Sequence, residues 1–476
     1  MNHSLCSILN EMPEYRRFEE AVAGRKGPVA VFGLQDAAKA HLIACAGEKR
    51  PVLYVCATDT GAMEMWEMTK GFFPEAALFL PRDVPLVHVL NVSDERSIQR
   101  VGALTKAVTG ERPVILCSVE AVLQKLAPKQ AFCGQCYRIR SGDTMEPRQL
   151  VEKLCGAGYE RVELVESRGQ VAARGDLVDI YPPQERYAVR VEFWGDTVDQ
   201  MREFDPVTQI SIRQRTELLV SPAFEVPQGP EAVARAMELT GNDTGFEAQR
   251  AMWELGQFSA GAEALLPMLY PETDVLLDYM PDDTVIIVDE PSRVEEAAKT
   301  AELTFSETVT TMLDRQEGDP LQWQLLASER EIMQRLSGPS TAVMYAFLRS
   351  HPLFTPKEIV QFTTRPAPKY MGDIRELAAD TERWRADGNA VILCAGEHAE
   401  SLADQLRDCG VSLRVTDKVE RTDCFSEILV SCEDLLSGFY YPSLRRVVLG
   451  ATDLFGKKDI GRRKSGKRKS NPRPAA

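Results

Sequence analysis

The stretch Gly169–Pro206 reads GQVAARGDLVDIYPPQERYAVRVEFWGDTVDQMREFDP and has the two-residue alternation that is typical of β-strands. Apolar side chains take every second position of one strand, and these are Val189, Val191 and Phe193. The positions between and after them carry two charges and an indole, namely Arg190, Glu192 and Trp194. Gly195-Asp196 supplies a turn, so residues 198–204 are predicted to return as the partner strand. Residues 171–181 form a further strand candidate, interrupted at Gly175-Asp176.

The polar side of this sheet has two interpretations. Arg190 and Glu192 can simply pair with charges on neighbouring strands, in which case the surface is an ordinary solvated face. Alternatively, Arg190, Glu192 and Trp194 can dock a partner, because Arg and Trp are enriched at the centres of protein interfaces. The alternation by itself leaves both interpretations open.

Short apolar runs alternate with helical patterns on both sides of this stretch. The runs are 28–32, 51–56, 78–80 and 113–117 before it, and 285–290 after it. Strands that alternate with helices predict a parallel, doubly wound α/β domain. Since its last strand returns after residue 220, the small sheet is predicted to be an insertion within that domain. A second, smaller α/β unit is predicted from the apolar runs at 390–394, 413–415, 428–430 and 447–449.

The first turn from a strand to a helix lies where a phosphate-binding loop would lie. A working loop reads G-x-x-x-x-G-K-[S/T], in which the glycines expose backbone N–H groups and the hydroxyl holds Mg²⁺. Here Gly33 and Lys39 are present, but Ala38 replaces the second glycine and Ala40 replaces the hydroxyl. We therefore predict a degenerate P-loop NTPase-like domain that does not hydrolyse nucleotide, and no catalytic residues.

A second nucleotide-site element lies far downstream. Residues 285–290, VIIVDE, form a buried strand that ends in Asp289 and Glu290, which is the form of a Walker B element. In an active NTPase such an aspartate helps to hold Mg²⁺. Opposite a loop without the hydroxyl, these two acids are predicted to have structural roles.

Composition and charge restrict the class of protein. The chain has 476 residues, a net charge of −15 and no apolar run of the roughly 20 residues that a membrane-spanning helix needs. A cytoplasmic protein is expected. Nine Lys or Arg against one Asp give residues 457–476 a net charge of +8, so the acidic remainder disfavours non-specific nucleic-acid binding outside this tail.

The eleven cysteines do not indicate a disulfide framework, because their number is odd and no secretion signal is evident. Cys133 and Cys136 have the spacing of a zinc or redox pair, but a zinc site needs two more ligands and no second CxxC or HxxxH follows. Reduced cysteines and no metal site are predicted.

Three segments resemble a known family. RGDLVDIYPP (174–183) and VRVEFWGDTVDQMREFDP (189–206) closely resemble the domain shared by the repair protein UvrB and the transcription-repair coupling factor Mfd. The segment 260–293, AGAEALLPMLYPETDVLLDYMPDDTVIIVDEPSR, is similar to another region that both share. In that family the small sheet domain binds UvrA. The resemblance implies that the contacts are Arg174, Arg190, Glu192 and Trp194.

Departures from UvrB favour the coupling factor. UvrB needs an intact phosphate loop and carries a Tyr-rich DNA-inserting hairpin, whereas here the loop is degenerate and residues 79–100 hold no Tyr-rich insertion. The basic end also resembles the linker that leads to the polymerase-binding domain of the coupling factor. The resemblance thus implies an N-terminal fragment that recruits UvrA and regulates the whole protein. That protein would be a translocase using ATP and Mg²⁺, with RNA polymerase and double-stranded DNA as partners.

Two other functions stay open. One is a UvrB-type, nucleotide-dependent excision protein that uses Lys39, Asp289 and Glu290. The other is a non-specific nucleic-acid binder that acts through the basic tail. The expected organisation is a degenerate NTPase-like sheet domain split by a UvrB-like, UvrA-binding domain, then a small α/β domain and a basic disordered linker. The predicted boundaries are 1–130, 131–222 (the insertion), 223–340, 341–378 (a connection), 379–454 and 455–476.

Overall fold

A computed structural model describes residues 4–82, 94–241, 246–255, 262–315, 319–347, 349–423, 425 and 427–456. These residues form three units. A large parallel sheet with helices on both faces is interrupted by a small antiparallel-rich unit, and a second α/β unit follows. The predicted fold class is confirmed. The predicted basic linker lies outside the described residues from position 457 onward.

The strands are β1 (Val29–Phe32), β2 (Val52–Cys56), β3 (Ala77–Phe79), β4 (Val114–Ser118), β5 (Tyr137–Arg140), β6 (Glu160–Arg161), β7 (Gln170–Arg174), β8 (Leu177–Tyr181), β9 (Ala188–Trp194), β10 (Thr197–Phe204), β11 (Ser211–Arg215), β12 (Glu217–Val220), β13 (Val285–Asp289), β14 (Thr341–Tyr345), β15 (Glu358–Gln361), β16 (Arg365–Pro366), β17 (Ala390–Cys394), β18 (Leu413–Thr416), β19 (Ile428–Ser431), β20 (Phe439–Tyr441) and β21 (Arg446–Leu449).

The helices are α1 (Ser7–Asn10), α2 (Pro13–Ala23), α3 (Asp36–Gly47), α4 (Asp59–Lys70), α5 (Asp94–Thr109), α6 (Val119–Leu123), α7 (Lys129–Cys133), α8 (Pro147–Gly156), α9 (Pro230–Thr240), α10 (Glu247–Glu254), α11 (Leu266–Leu269), α12 (Leu276–Tyr279), α13 (Pro291–Asp314), α14 (Glu329–Leu336), α15 (Ile374–Ala386), α16 (Ala399–Asp408) and α17 (Ala451–Phe455).

The first unit is a seven-stranded sheet in the order β15-β1-β14-β13-β2-β4-β3, and every pair in it is parallel. Its strands other than the edge strand β15 are almost wholly buried apolar runs, because helices cover both faces of the sheet. α1 to α4 pack on one face, and α5, α6 and α12 to α14 pack on the other. The carboxyl ends of the central strands therefore meet at one edge, where α3 and α13 begin.

The small unit is inserted between α7 and α9. Its entering strand β5 pairs antiparallel with its leaving strand β12, so the two form a stem. Beyond the stem lies a six-stranded sheet in the order β11-β10-β9-β8-β7-β6, antiparallel except for the β6–β7 pair. The face that carries Val189, Val191 and Phe193 packs with α8 in one apolar core. The predicted β9–β10 hairpin is confirmed.

The segment 341–378, predicted to be a connection, has a different place in the fold. β14 pairs with both β1 and β13 inside the first sheet, and β15 forms the edge next to β1. β15 is a half-exposed edge strand whose polar residues hide the pattern, whereas β14 is a fully buried run, TAVMY, that the prediction did not recognise as a strand of this sheet. The last unit therefore begins near Arg365, where β16 joins a six-stranded sheet in the order β16-β20-β21-β17-β19-β18.

The last unit packs closely on the first. One continuous apolar core contains residues of α1 to α4 and of β17, β19, β20 and β21. At its centre the ring of His41 stacks on Phe439, with the ring centroids 4.5 Å apart. The Nδ1 atom of His41 lies 3.0 Å from the Tyr441 hydroxyl, and its Nε2 atom lies 2.9 Å from the Leu5 carbonyl oxygen. Aromatic packing and satisfied polar groups thus join the two units.

Candidate docking face and degenerate nucleotide site

The outer face of the inserted sheet carries the four predicted contact residues on two strands, β7 and β9, which flank β8. Arg174 on β7 stands opposite Leu177 on β8, and Leu177 stands opposite Glu192 on β9. Directly opposed residues on neighbouring strands are about 5 Å apart, so these side chains form a row across the sheet. Arg190 and Trp194 flank Glu192 on the same side of β9.

Arg190 is engaged by the protein itself. Its Nε and Nη2 atoms donate to the two carboxylate oxygens of Asp179 at 2.7 and 2.8 Å, and Nη2 also lies 3.2 Å from Oε1 of Gln209. The guanidinium also stacks over the ring of Phe204 at 4.7 Å. The hydrogen bonds to Asp179 raise the pKa of Arg190 above its usual value. About 20% of the Arg190 side chain is exposed, and Asp179 already neutralises its charge.

Glu192 is paired in a similar way. Arg202 on β10 donates to its carboxylate across the strand pair. The registers of β8 and β10 thus produce the pairing with neighbouring strands that was one of the two sequence interpretations. The middle of the face therefore holds two ion pairs, Arg190–Asp179 and Glu192–Arg202, whose charges largely cancel.

Trp194 differs from its neighbours. It is the last residue of β9 and is 83% exposed, directly before Gly195, whose φ of +61° lets the chain turn into β10. Leu177, on the adjacent strand β8, is 37% exposed. Most of the apolar surface of this indole is exposed to solvent, so a partner could bury it.

Arg174 has a positioning role within the domain. Its Nε and Nη2 atoms donate to the carbonyl oxygen of Glu163 at 3.1 and 2.8 Å. That bond holds the segment after β6, whose Val165 covers a small apolar cluster at the far end of the outer face. The cluster also contains Ala172, Tyr181, Ala188 and Phe204. Segment 162–165 therefore covers part of the outer face and leaves the Trp194 end open.

The degenerate phosphate loop is closed by the chain itself. Gly33 has a φ of +82°, and a Cβ atom at this position would lie 2.0 Å from the carbonyl oxygen of Phe362. The hydroxyl of Thr364 donates to the Gly33 carbonyl oxygen at 2.7 Å and accepts from the Gln35 N–H group at 3.2 Å. The segment after β15 thus lies against the loop that would otherwise wrap a phosphate.

Lys39 is also satisfied within the protein. Its Nζ atom lies 2.8 Å from one oxygen of Asp289, and the Tyr54 hydroxyl donates to the other oxygen at 2.8 Å. Burial raises the pKa of the Tyr54 hydroxyl well above its usual value, and the Asp289 carboxylate adds to this shift. Ala38 and Ala40 are completely buried beside Lys39 in the first turns of α3. The two nucleotide-site residues therefore meet, and they form an ion pair.

Glu290 has a backbone role. It has a left-handed conformation with a φ of +55° directly before α13, and its carboxylate accepts from the N–H group of Ala346. A cleft of about 620 Å³ opens beside Lys39, and its walls include Asp36, Asp289 and Glu290. Asp36 is the first residue of α3, where a helix N-terminus would otherwise favour a phosphate. Lys39, Arg293 and Arg349 line the same cleft, so acidic and basic side chains are mixed at this edge.

Two cysteine groups bear on metal binding. In the part of the chain that the structure describes, ligand atoms of Cys6, His41 and Cys45 lie within 4.8 Å of one another. Both ring nitrogens of His41 are already at hydrogen-bond distance from protein oxygens, and the Cys45 thiol donates to the Cys6 carbonyl oxygen at 3.6 Å. At the other group, burial raises the pKa of the Cys136 thiol to about 12, which disfavours the thiolate that a metal binds.

A buried charge network was missed by the sequence analysis. Glu225 lies directly after the inserted unit and accepts from two arginines of the first unit, Arg82 and Arg100. No local pattern predicts this group, because Arg100 and Glu225 are 125 residues apart in the chain. The sequence does show charged residues beside apolar runs, but this pattern does not indicate which charged side chains are buried.

Comparisons with known proteins identify one matching domain and several similar proteins. Residues 137–225 match the family model described as "UvrB interaction domain". The chain is 28% identical over 387 residues to the transcription-repair-coupling factor of Bacillus subtilis (strain 168), covering 76% of this chain and 32% of the relative. It is 31% identical over 327 residues to that of Myxococcus xanthus, covering 63% and 27%. The chain thus spans about a third of the length of these two relatives.

UvrB is a more distant relative. The UvrABC system protein B of Renibacterium salmoninarum (strain ATCC 33209 / DSM 20767 / JCM 11484 / NBRC 15589 / NCIMB 2235) is 23% identical over 415 residues, covering 78% of this chain and 58% of the relative. Among the described residues, no helix has both the length and the apolar character to cross a membrane. The resemblance inferred from the sequence is confirmed: the chain is similar to transcription-repair-coupling factors and, at lower identity, to UvrB, and its residues 137–225 match the UvrB interaction domain.

Proposed function

We propose that the inserted unit is the docking platform through which a transcription-coupled repair factor recruits UvrA. The observation that carries the proposal is Trp194, an indole that is 83% exposed on a flat sheet face within the matched domain. Aromatic anchors of this kind supply much of the binding energy at interfaces, because a partner pocket can bury their whole apolar surface.

The charged residues of the face act together with this anchor. Arg190 and Glu192 are held by Asp179 and Arg202, so their side chains keep one geometry before the partner arrives. A preorganised face loses less side-chain entropy on binding than a mobile one. Arg174 acts indirectly, since it fixes the segment after β6 that borders the face.

The nucleotide site of the first unit has a structural role in this proposal. The Lys39–Asp289 pair, with Tyr54, cross-links α3 to β13 and β2, and no hydroxyl stands at Ala40 to hold Mg²⁺. These observations disfavour the alternative of a nucleotide-dependent excision protein. ATP, Mg²⁺, RNA polymerase and double-stranded DNA belong, in our proposal, to the whole coupling factor, which acts in the cytoplasm.

The test is a calorimetric titration of UvrA with this chain and with Trp194→Ala. Loss of an aromatic anchor lowers the binding free energy by about 2 kcal/mol or more, which corresponds to a roughly thirtyfold larger dissociation constant. Trp323→Ala is the matched control, because Trp323 is 42% exposed but lies in the first unit. The proposal fails if the parent chain does not bind UvrA, or if Trp194→Ala binds as tightly as the control.

A further inference from the structure

The turn between β10 and β11 is an unusually well-built surface loop. One carboxylate oxygen of Asp205 accepts from the N–H groups of Val207 and Thr208, each at 2.9 Å. These bonds from the backbone lower the pKa of Asp205. Gln209 has a φ of +61°, and its N–H group donates to the Asp205 carbonyl oxygen at 2.7 Å. Side chains on this turn are therefore held on a defined backbone.

The two apolar side chains of this turn point into solvent. Val207 is 89% exposed and Ile210 is 66% exposed. A surface turn with this much hydrogen bonding does not require apolar residues at its tip, since polar ones would be solvated at no cost. Apolar area on a rigid support has the properties of a binding anchor, because it gains the hydrophobic term with little loss of entropy.

The turn is tied to the outer face of the sheet. The side chain of Gln209 accepts from Nη2 of Arg190 at 3.2 Å and donates to the Pro206 carbonyl oxygen at 2.8 Å. Arg190 in turn covers the ring of Phe204, the last residue of β10. The turn is thus joined to the docking face through the side chain of Arg190, beside the end of the face that segment 162–165 covers.

The dimensions fit one interface. Phe204 stands opposite Ala188, which is six residues from Trp194 along β9, so the turn and the indole are about 20 Å apart at roughly 3.3 Å per residue. A standard interface covers about 800 Å² on each partner, which is a patch about 30 Å across. A partner centred on Arg190 therefore reaches both ends of β9.

We infer that the docking face continues over the β10–β11 turn, where Val207 and Ile210 form a second apolar anchor for the partner that buries Trp194. This inference rests on the proposed function, and its occupant is UvrA. The partner surface that fits has two apolar recesses about 20 Å apart. Since the ion pairs between the anchors already neutralise one another, salt weakens the association only slightly.

The test compares UvrA binding by the full chain with binding by the double variant Val207→Ser, Ile210→Ser. We expect a roughly tenfold larger dissociation constant, because the variant removes two exposed aliphatic anchors. Leu303→Ser is the control, since Leu303 is 60% exposed on α13 of the first unit. The variant Val207→Leu, Ile210→Leu keeps the apolar area and is expected to retain binding.

The outcomes separate the two proposals. If the parent binds and the serine variant binds equally well, the turn is not an anchor, although the docking function stands. If the parent does not bind, the docking function itself fails. Combining the serine variant with Trp194→Ala is expected to give additive losses, because the two anchors are farther apart than the 7–10 Å over which substitutions usually couple.

Discussion

Replacement of Glu225 by Gln tests the buried charge network at the point where the chain returns from the inserted unit to the first unit. The Glu225 side chain is 2% exposed and lies between two buried guanidinium groups. Nε and Nη2 of Arg100 donate to it at 2.6 and 2.8 Å, and Nη1 of Arg82 donates at 2.5 Å. Gln keeps the shape of this side chain but removes the carboxylate that Arg82 and Arg100 share, and it leaves the buried Glu263, whose pKa is raised by burial, as the acid that interacts with both arginines.

The size of the effect follows from this burial. Removing one partner of a buried ion pair costs about 3–5 kcal/mol, because the remaining charge keeps its desolvation penalty. Domains are stable by only about 5–15 kcal/mol, so we expect Glu225→Gln to lower the urea midpoint substantially. The measurement is urea unfolding at neutral pH, followed by far-ultraviolet circular dichroism.

Glu217→Gln is the matched control. Glu217 pairs with the two arginines Arg138 and Arg140 as well, but on the solvated surface of the stem. Screening by water makes such a pair a minor contributor, so this variant is expected to unfold at the parental midpoint. Equal midpoints for the Glu225 and Glu217 variants would refute the reasoning that burial makes the first network essential.

The same network has a defined pH dependence. Burial alone would raise the pKa of the Glu225 carboxyl, but Arg100 and Arg82 outweigh it and hold the pKa below its usual value. A carboxyl with a depressed pKa in the folded state stabilises the protein above its unfolded pKa and loses that contribution as the pH falls through the folded value. The parent is therefore expected to lose stability on acidification more steeply than Glu225→Gln.

Two further substitutions test the first unit. Lys39→Met leaves the mostly buried Asp289 without its cation and is expected to destabilise by about 2 kcal/mol in urea unfolding, while UvrA affinity stays unchanged. A drop in affinity instead would show that this site communicates with the docking face. Gly33→Ala is expected to cost more than Gly142→Ala: both glycines have positive φ, but only at Gly33 would a Cβ atom collide with the Phe362 carbonyl. Equal thermal midpoints for the two alanine variants would show that the loop can shift.

The architecture was predictable where each element carries its own signal. The alternation from Ala188 to Phe204 defines a hairpin, since one face is buried and the turn residues are Gly195-Asp196. The apolar runs of β1, β2 and β13 predict parallel strands because both of their faces are covered. Edge strand β15 was missed, since an edge has one open side and needs no apolar run.

The candidate site was only partly predictable. The sequence places Arg190, Glu192 and Trp194 on one face, but it does not say which of them is free. That distinction depends on strand registers, which bring Asp179 opposite Arg190 and leave Trp194 without a covering neighbour. The role of Arg174 depends on the course of a loop, and loops carry little periodic signal.

The stem formed by β5 and β12 explains how one chain can hold both a sheet that keeps its nucleotide-type shape and a recognition unit. The two chain crossings lie side by side, so removal of the insert would leave a gap that a few residues could close. In the seven-stranded sheet of the first unit, the register of each strand is therefore independent of the inserted unit. Mutations on the outer face of the inserted unit can therefore accumulate without destabilising the first unit. The choice of partner can change while the first unit keeps its fold. The Glu225 network lies on the first-unit side of this junction, where it fixes the returning chain to Arg82 and Arg100.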